Sequence, residues 1–473
     1  MMVAALLLVS AAAQAKVDMP SIFSDNMVLQ QQTQVALWGT ATGKKVTITP
    51  SWSKAKTVVA TTDKDGKWMA RIDTPAAGGP YEITVSDGKK KTLRNVLIGE
   101  VWLCTGQSNM EMPLRGWSGQ PIEHAVEAIM GANPATPIRM IRFSERKADQ
   151  PIYEGENVWE ENTPEVVART SGTAYFFAQR MQQILQVPIG IISADKGGSA
   201  IEAWMSREIL EKEFAGEFDL SILAPENKEK WTIKTPAVYY NGMLSQFFPY
   251  TIKGILWYQG ETNRARPEQY TRLQTRFAQM LREEFQVPDA PFYFVQIAPY
   301  RYSNPRSFEN GYFYEAQQKT LETIPHSGMV PTVDIGDYTF IHPPKKKEVG
   351  ERLALLALVN DYGLKGVNAD APTFKSVEFQ DGRAIITVNV NKSVGLIPAK
   401  TPVEGFEIAG KNKVFFPARA VADKDKIIVE AWEVHKPVAV RYCFRNWAVG
   451  TLFGGNGLPL LPFRTDDWDK LRD

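Results

Sequence analysis

The sequence predicts an α/β domain built on a parallel sheet, with a small all-β region on either side of it. Three observations carry this expectation. Apolar runs without alternation recur through the middle of the chain, amphipathic helical stretches separate them, and alternating strands bounded by Asp-Gly turns fill both ends.

The first region spans residues 16–95. Val35 and Leu37, then Val46 and Ile48, alternate with polar neighbours at the period of a half-buried strand. Asp65-Gly66 and Asp87-Gly88 lie between such runs, and Asp-Gly supplies the positive φ angles of tight hairpins. A β-sandwich fits this pattern. The middle region spans 96–362. Its apolar runs are 98–104, 138–143, 188–194, 252–258, 292–297 and 329–335. Between two of them, Tyr270, Leu273, Phe277, Leu281 and Phe285 recur at helical spacing. Strands that are apolar on both faces and separated by helices belong to a parallel sheet covered on both sides. In such sheets the site lies at the carboxyl ends of the strands. The third region spans 363–473 and returns to alternating strands after Asp381-Gly382.

The chain has 473 residues and a formal net charge of +1. A near-neutral chain lacks the basic footprint of a nucleic-acid binder, so no nucleic-acid partner is expected. The run Lys345-Lys346-Lys347 is the exception, and reads as the solvated first turn of a helix. Residues 3–13 form a short apolar run followed by Ala13-Gln14-Ala15, the small-x-small pattern of a cleavage site. Residues 1–15 therefore read as a signal peptide, too short to span a membrane. The expected location is periplasmic or secreted, without membrane insertion. Cys104 and Cys443 are expected as free buried thiols, since Cys104 lies inside an apolar strand pattern. The four histidines show no metal-ligand spacing, and neither CxxC nor HExxH occurs. No metal or cofactor is expected.

Four short segments carry the chemistry. Gly106-Gln107-Ser108-Asn109-Met110 follows the first apolar run, where a serine can expose its hydroxyl beside free backbone N–H groups. Lys196-Gly197-Gly198-Ser199 follows the third, and its glycines allow a backbone N–H to approach a substrate oxygen. Gln259-Gly260-Glu261-Thr262-Asn263 follows the fourth, with Gln259 and Asn263 as side-chain oxyanion donors. Glu261 and Gln107 are placed as substrate-binding groups. His342 follows the sixth run and is the one histidine of the four set between a strand's carboxyl end and a helix, as the base of an acyl-transfer serine must be. Nucleophile Ser108, base His342 and oxyanion donors at Gly198, Gln259 and Asn263 together make a serine-hydrolase constellation.

These blocks resemble, in order, those of SGNH hydrolases. More narrowly, the chain resembles the sialate O-acetylesterase family of carbohydrate esterases. Besides the four blocks the likeness includes Ile201-Glu202-Ala203-Trp204, Tyr240-Asn241-Gly242-Met243 and Phe463-Arg464-Thr465-Asp466-Asp467-Trp468. The resemblance implies a three-layer α/β/α catalytic domain flanked by β domains, and hydrolysis of acetyl esters on a carbohydrate substrate. Sialic acid is the first expectation, acetylated xylan the alternative, and a catalytically inactive carbohydrate-binding protein the remaining one. SGNH hydrolases place an aspartate three residues before the histidine, but Thr339 stands here. Asp337 is the preferred orienting carboxylate. Asp334, or a backbone carbonyl in a Ser-His dyad, are the alternatives.

Overall fold

The computed structural model describes residues 16–53, 56–391 and 395–468. The expected signal peptide, 1–15, lies outside the described residues.

Six parallel strands form the centre of the molecule. Across the sheet they run Ile138–Arg142, Ile189–Asp195, Lys90–Gly106, Gly254–Tyr258, Phe292–Val295 and Ser327–Val330. Five of them contain or closely match an apolar run, while Ser327–Val330 shares only its last two residues with the run 329–335, the rest of which is loop. A short strand, Glu160–Glu161, adds antiparallel at the edge. Neighbouring residues on the strand bearing the serine turn face opposite layers. Trp102 and Cys104 join a core with Phe176, Phe177 and Leu353, while Val101 and Leu103 join one with Trp257, Phe277 and Phe313. Strands of this kind have no polar face because both faces are covered. On one side lie the helices Gly172–Leu185 and Lys346–Asn360, and on the other Pro267–Phe285 and Glu309–Thr323. The result is the three-layer α/β/α arrangement. Both cysteines are free and buried.

Lys90–Gly106 runs straight through position 95, where the sequence suggested a boundary. Its first half pairs antiparallel with Gly78–Ser86, and its second half pairs parallel within the central sheet. The N-terminal β region is therefore hydrogen-bonded into the catalytic sheet through a shared strand, with no linker between them. Turn signals mark where strands end, and none marks a strand that changes partners midway. Beyond residue 362, a five-stranded antiparallel sheet and a four-stranded sheet enclose a separate core. Val333 reaches into that core from the catalytic region.

Candidate active site

Three adjacent central strands end level with one another. Asp195 pairs with Gly106, and Gly106 with Tyr258. The segments that follow therefore leave the sheet side by side. In chain order the Lys90–Gly106 strand comes first, yet it sits between the third and fourth strands. Reversal of strand order at this point opens a crevice at the carboxyl ends.

Gly106 makes the serine turn possible. Its φ is +146°, and a Cβ there would stand 2.2 Å from the Tyr258 carbonyl oxygen. Gln107 then donates its N–H to that carbonyl at 2.9 Å, and Ser108 opens the short helix Ser108–Glu111. As first residue of a helix, Ser108 has no intrahelical acceptor for its N–H. The Gln107 side chain is buried, and its Oε1 accepts from the N–H groups of Gly260 and Thr262 at 3.2 and 3.4 Å. Gln107 thus fastens two site loops together through its side-chain oxygen.

His342 arrives on the loop before the helix Lys346–Asn360. Asn109, next to Ser108, donates from Nδ2 to the carbonyl of Ile341, next to His342, at 3.2 Å. This bond brings the serine turn and the histidine loop together. The imidazole lies edge-on to Trp117, with ring centroids 4.9 Å apart. Its Nδ1 meets the Gln120 side-chain oxygen at 2.7 Å. An amide oxygen only accepts, so Nδ1 carries the proton and Nε2 keeps its lone pair. Burial pushes the imidazole pKa down to about 4, and the nearby Lys346 ammonium adds to the effect. His342 is therefore the neutral form that a base must be.

Asp337 does not reach the histidine. Its Oδ1 accepts from the N–H groups of Thr339 and Phe340 at 2.7 and 2.9 Å, a local turn in which a short carboxylate satisfies its own loop. Asp334 is held in a two-pronged pair with Arg352. The acceptor facing His342 is the Gln120 amide.

The oxyanion side is equally specific. Gly197 packs against the serine, and a Cβ there would lie 3.4 Å from Ser108 Cβ. Its N–H donates to Glu111 Oε2 at 2.7 Å and is occupied. The Gly198 N–H has no hydrogen-bond partner among the described residues. Gly198 has φ +71°, and Ile233 walls its outer side. Gln259 Nε2 donates to the Ser199 carbonyl and to Asn263 Oδ1 at 3.1 and 2.8 Å, which occupies both amide hydrogens. Asn263 is 1% exposed, and its Nδ2 donates to Glu202 Oε2 at 2.8 Å. Its Oδ1 also accepts from the Ile201 N–H at 3.1 Å. Both amides brace the glycine loop from behind, where they were expected to donate outward. Hydrogen bonding and packing bring the segments that carry Ser108, Gly198 and His342 next to one another.

A family model described as carbohydrate esterase, sialic acid-specific acetylesterase, matches residues 98–358. The crystal structure of a carbohydrate acetylesterase from Xanthomonas citri superposes with a TM-score of 0.84 at 33% identity, over 96% of this chain and all of that one. This chain belongs to the sialic acid-specific acetylesterase family. Among curated relatives, the sialate O-acetylesterase of Pongo abelii is 26% identical over 90% of this chain and 87% of its own length. That of Homo sapiens is 27% identical over 79% and 76%. As a member of this carbohydrate esterase family, the chain is a carboxylic-ester hydrolase.

Three residues of the esterase site were not legible beforehand. Gln120 lies 222 positions from the histidine it faces, in a loop without strand or helix pattern. Glu202, inside the apolar stretch Ile201–Trp204, is buried and paired with Arg266 at 2.7 Å. Its signal was a charged residue in an apolar run. Glu111 was hidden because a carboxylate that accepts from a glycine N–H has no sequence pattern.

Proposed function

We propose that the chain hydrolyses O-acetyl esters of sialic acid through a Ser-His acyl-enzyme mechanism, in the periplasm or outside the cell. The observation that supports the mechanism is the His342–Gln120 contact, which leaves Nε2 as the basic nitrogen of a histidine whose loop is hydrogen-bonded to the serine turn. His342 Nε2 takes the proton of Ser108 Oγ as that oxygen bonds to the acetyl carbonyl carbon. The carbonyl electrons move to oxygen, held by the N–H groups of Ser108 and Gly198. The intermediate collapses, the C–O bond to the sugar breaks, and the imidazolium returns its proton to the leaving alkoxide. Water then repeats the cycle on the acetyl-serine, with His342 again as base, and acetate leaves.

Support for sialic acid comes from the family description and the curated relatives. Support for export comes from the apolar run and cleavage pattern at residues 1–15. The test is acetate release from 9-O-acetyl sialic acid and from acetylated xylan, by wild type and Ser108→Ala together. Release from the sialic acid that is lost in the variant is the expected result. Release from xylan alone keeps the mechanism and moves the substrate. Release by Ser108→Ala at the wild-type rate overturns the mechanism.

A further inference from the structure

Lys346 is the middle residue of the lysine run, and a solvated helical turn should expose it. It is instead 1% exposed. Its Nζ donates to Asn109 Oδ1 at 2.5 Å and lies 5.7 Å from the centre of the Tyr258 ring. On its other side the Asn109 amide donates from Nδ2 to Glu261 Oε1 at 2.6 Å, and from the same nitrogen to the Ile341 carbonyl. The second Glu261 oxygen is shut off from solvent and has no hydrogen-bond partner among the described residues.

A buried lysine, whose pKa burial pushes down to about 7, and a buried glutamate, whose pKa burial raises, are thus joined through one amide. With Lys346 protonated and Glu261 ionised, both bonds are charge-assisted, and so of the stronger kind. The charges also fix which way the amide faces. Turned over, it would aim N–H at the ammonium and oxygen at the carboxylate, and both contacts would be repulsive. A locked amide keeps Nδ2 aimed at Ile341, one residue from His342. Each member of the chain comes from a different segment: the serine turn, the loop after Gly254–Tyr258, and the first turn of Lys346–Asn360.

We propose that Lys346, Asn109 and Glu261 form a positioning relay that holds the His342 loop against the Ser108 turn. Glu261 serves that relay and not the sugar. The inference rests on the Ser108–His342 reading above. The charged groups around the imidazole are Lys346 directly and Glu261 through Asn109, while Gln120 and Trp117, which also face it, are neutral.

The test measures kcat and KM on p-nitrophenyl acetate for the wild type, Ser108→Ala, Lys346→Met, Asn109→Leu, Glu261→Gln and Glu261→Ala, with folding checked by near-UV circular dichroism. Misplacing a catalytic group by about 1 Å costs roughly 10²-fold in rate. Lys346→Met, Asn109→Leu and Glu261→Ala should therefore lose on the order of 10² in kcat, with KM within about threefold. Glu261→Gln retains the Oε1 acceptor and should restore most of the rate. In Lys346→Met the acid limb of kcat/KM should move up, because one of the two influences that depress the imidazole pKa is gone. If Lys346→Met does not fold, the Glu261 pair poses the same question. Wild-type kcat in folded Lys346→Met and Glu261→Ala overturns the relay, as does a loss confined to KM, which would return Glu261 to the sugar. Wild-type activity in Ser108→Ala instead overturns the reading on which the relay rests.

Discussion

Replacing Gln120 by leucine removes the acceptor that faces His342 Nδ1 while keeping a side chain of similar size. The contact is 2.7 Å, and burial already pushes the imidazole pKa down to about 4. A donor left unpaired in such a place costs about 1–3 kcal/mol. The orientation and the tautomer of the ring are both fixed by this bond, so the loss falls on the state in which the base must work. At 1.36 kcal/mol per decade, the expected drop in kcat is roughly 10- to 10²-fold. Gln120→Glu should behave differently. A carboxylate at the same place favours the imidazolium, so partial activity should persist with an acid limb well above pH 4. The assay is kcat/KM on p-nitrophenyl acetate from pH 3.5 to 9, the low end limited by folding. Asp337→Asn is the control, and because asparagine can accept the same turn bonds its rate should stay near wild type. Wild-type kinetics in Gln120→Leu, together with a large loss in Asp337→Asn, would refute the assignment of the orienting group.

Other outcomes follow from the same geometry. The acid limb of wild-type kcat/KM should lie near pH 4, well below the ordinary histidine pKa of 6.5, since the neutral base persists down to that point. The stability linkage has the matching sign. The folded pKa is depressed, so the unfolded chain binds more protons below about pH 6.5, and stability falls as pH drops toward 4. Denaturant midpoints at pH 7, 5.5 and 4 would show the decline, and a rate limb at pH 6–7 would contradict it. Gly198→Ala sets a Cβ at φ +71° and 2.5 Å from Ile233 Cδ1, which displaces the loop that carries the proposed oxyanion donor. The expected loss in kcat is about 10²–10³, the effect of removing one such donor, and is read by the aryl acetate assay. Arg441 is fully buried among Phe308, Phe415 and Phe444, in a two-pronged pair with Asp466. Arg441→Met leaves that buried carboxylate only its longer 3.8 Å pair with Arg464 and should destabilise the chain by about 3 kcal/mol, seen as a lowered Tm. Its kcat should be unchanged where the variant is folded.

The central sheet was legible because its strands are buried on both faces. A strand such as Gly254–Tyr258 must be apolar at every position, which distinguishes it from the alternating strands at either end of the chain. Ser108, Gly198 and His342 could be singled out because each follows such a strand. What could not be read is how polar side chains choose partners across the crevice. Gln259 and Asn263 look like donors aimed outward, and only the contacts with Ser199 and Glu202 show them facing inward. Lys346 is indistinguishable in sequence from its half-buried neighbours Lys345 and Lys347, since local geometry alone decides which lysine is enclosed. Gln120 depends on a loop that brings distant residues together, and distance along the chain carries no signal of that.

The most direct measurement is rapid-quench mass spectrometry of the enzyme mixed with p-nitrophenyl acetate. The account predicts a transient acetyl group on the peptide that carries Ser108, formed before steady acetate release and absent in Ser108→Ala. Acetate release by the wild type with no acetylated Ser108 at any time, or an acetyl group on another residue, would contradict it.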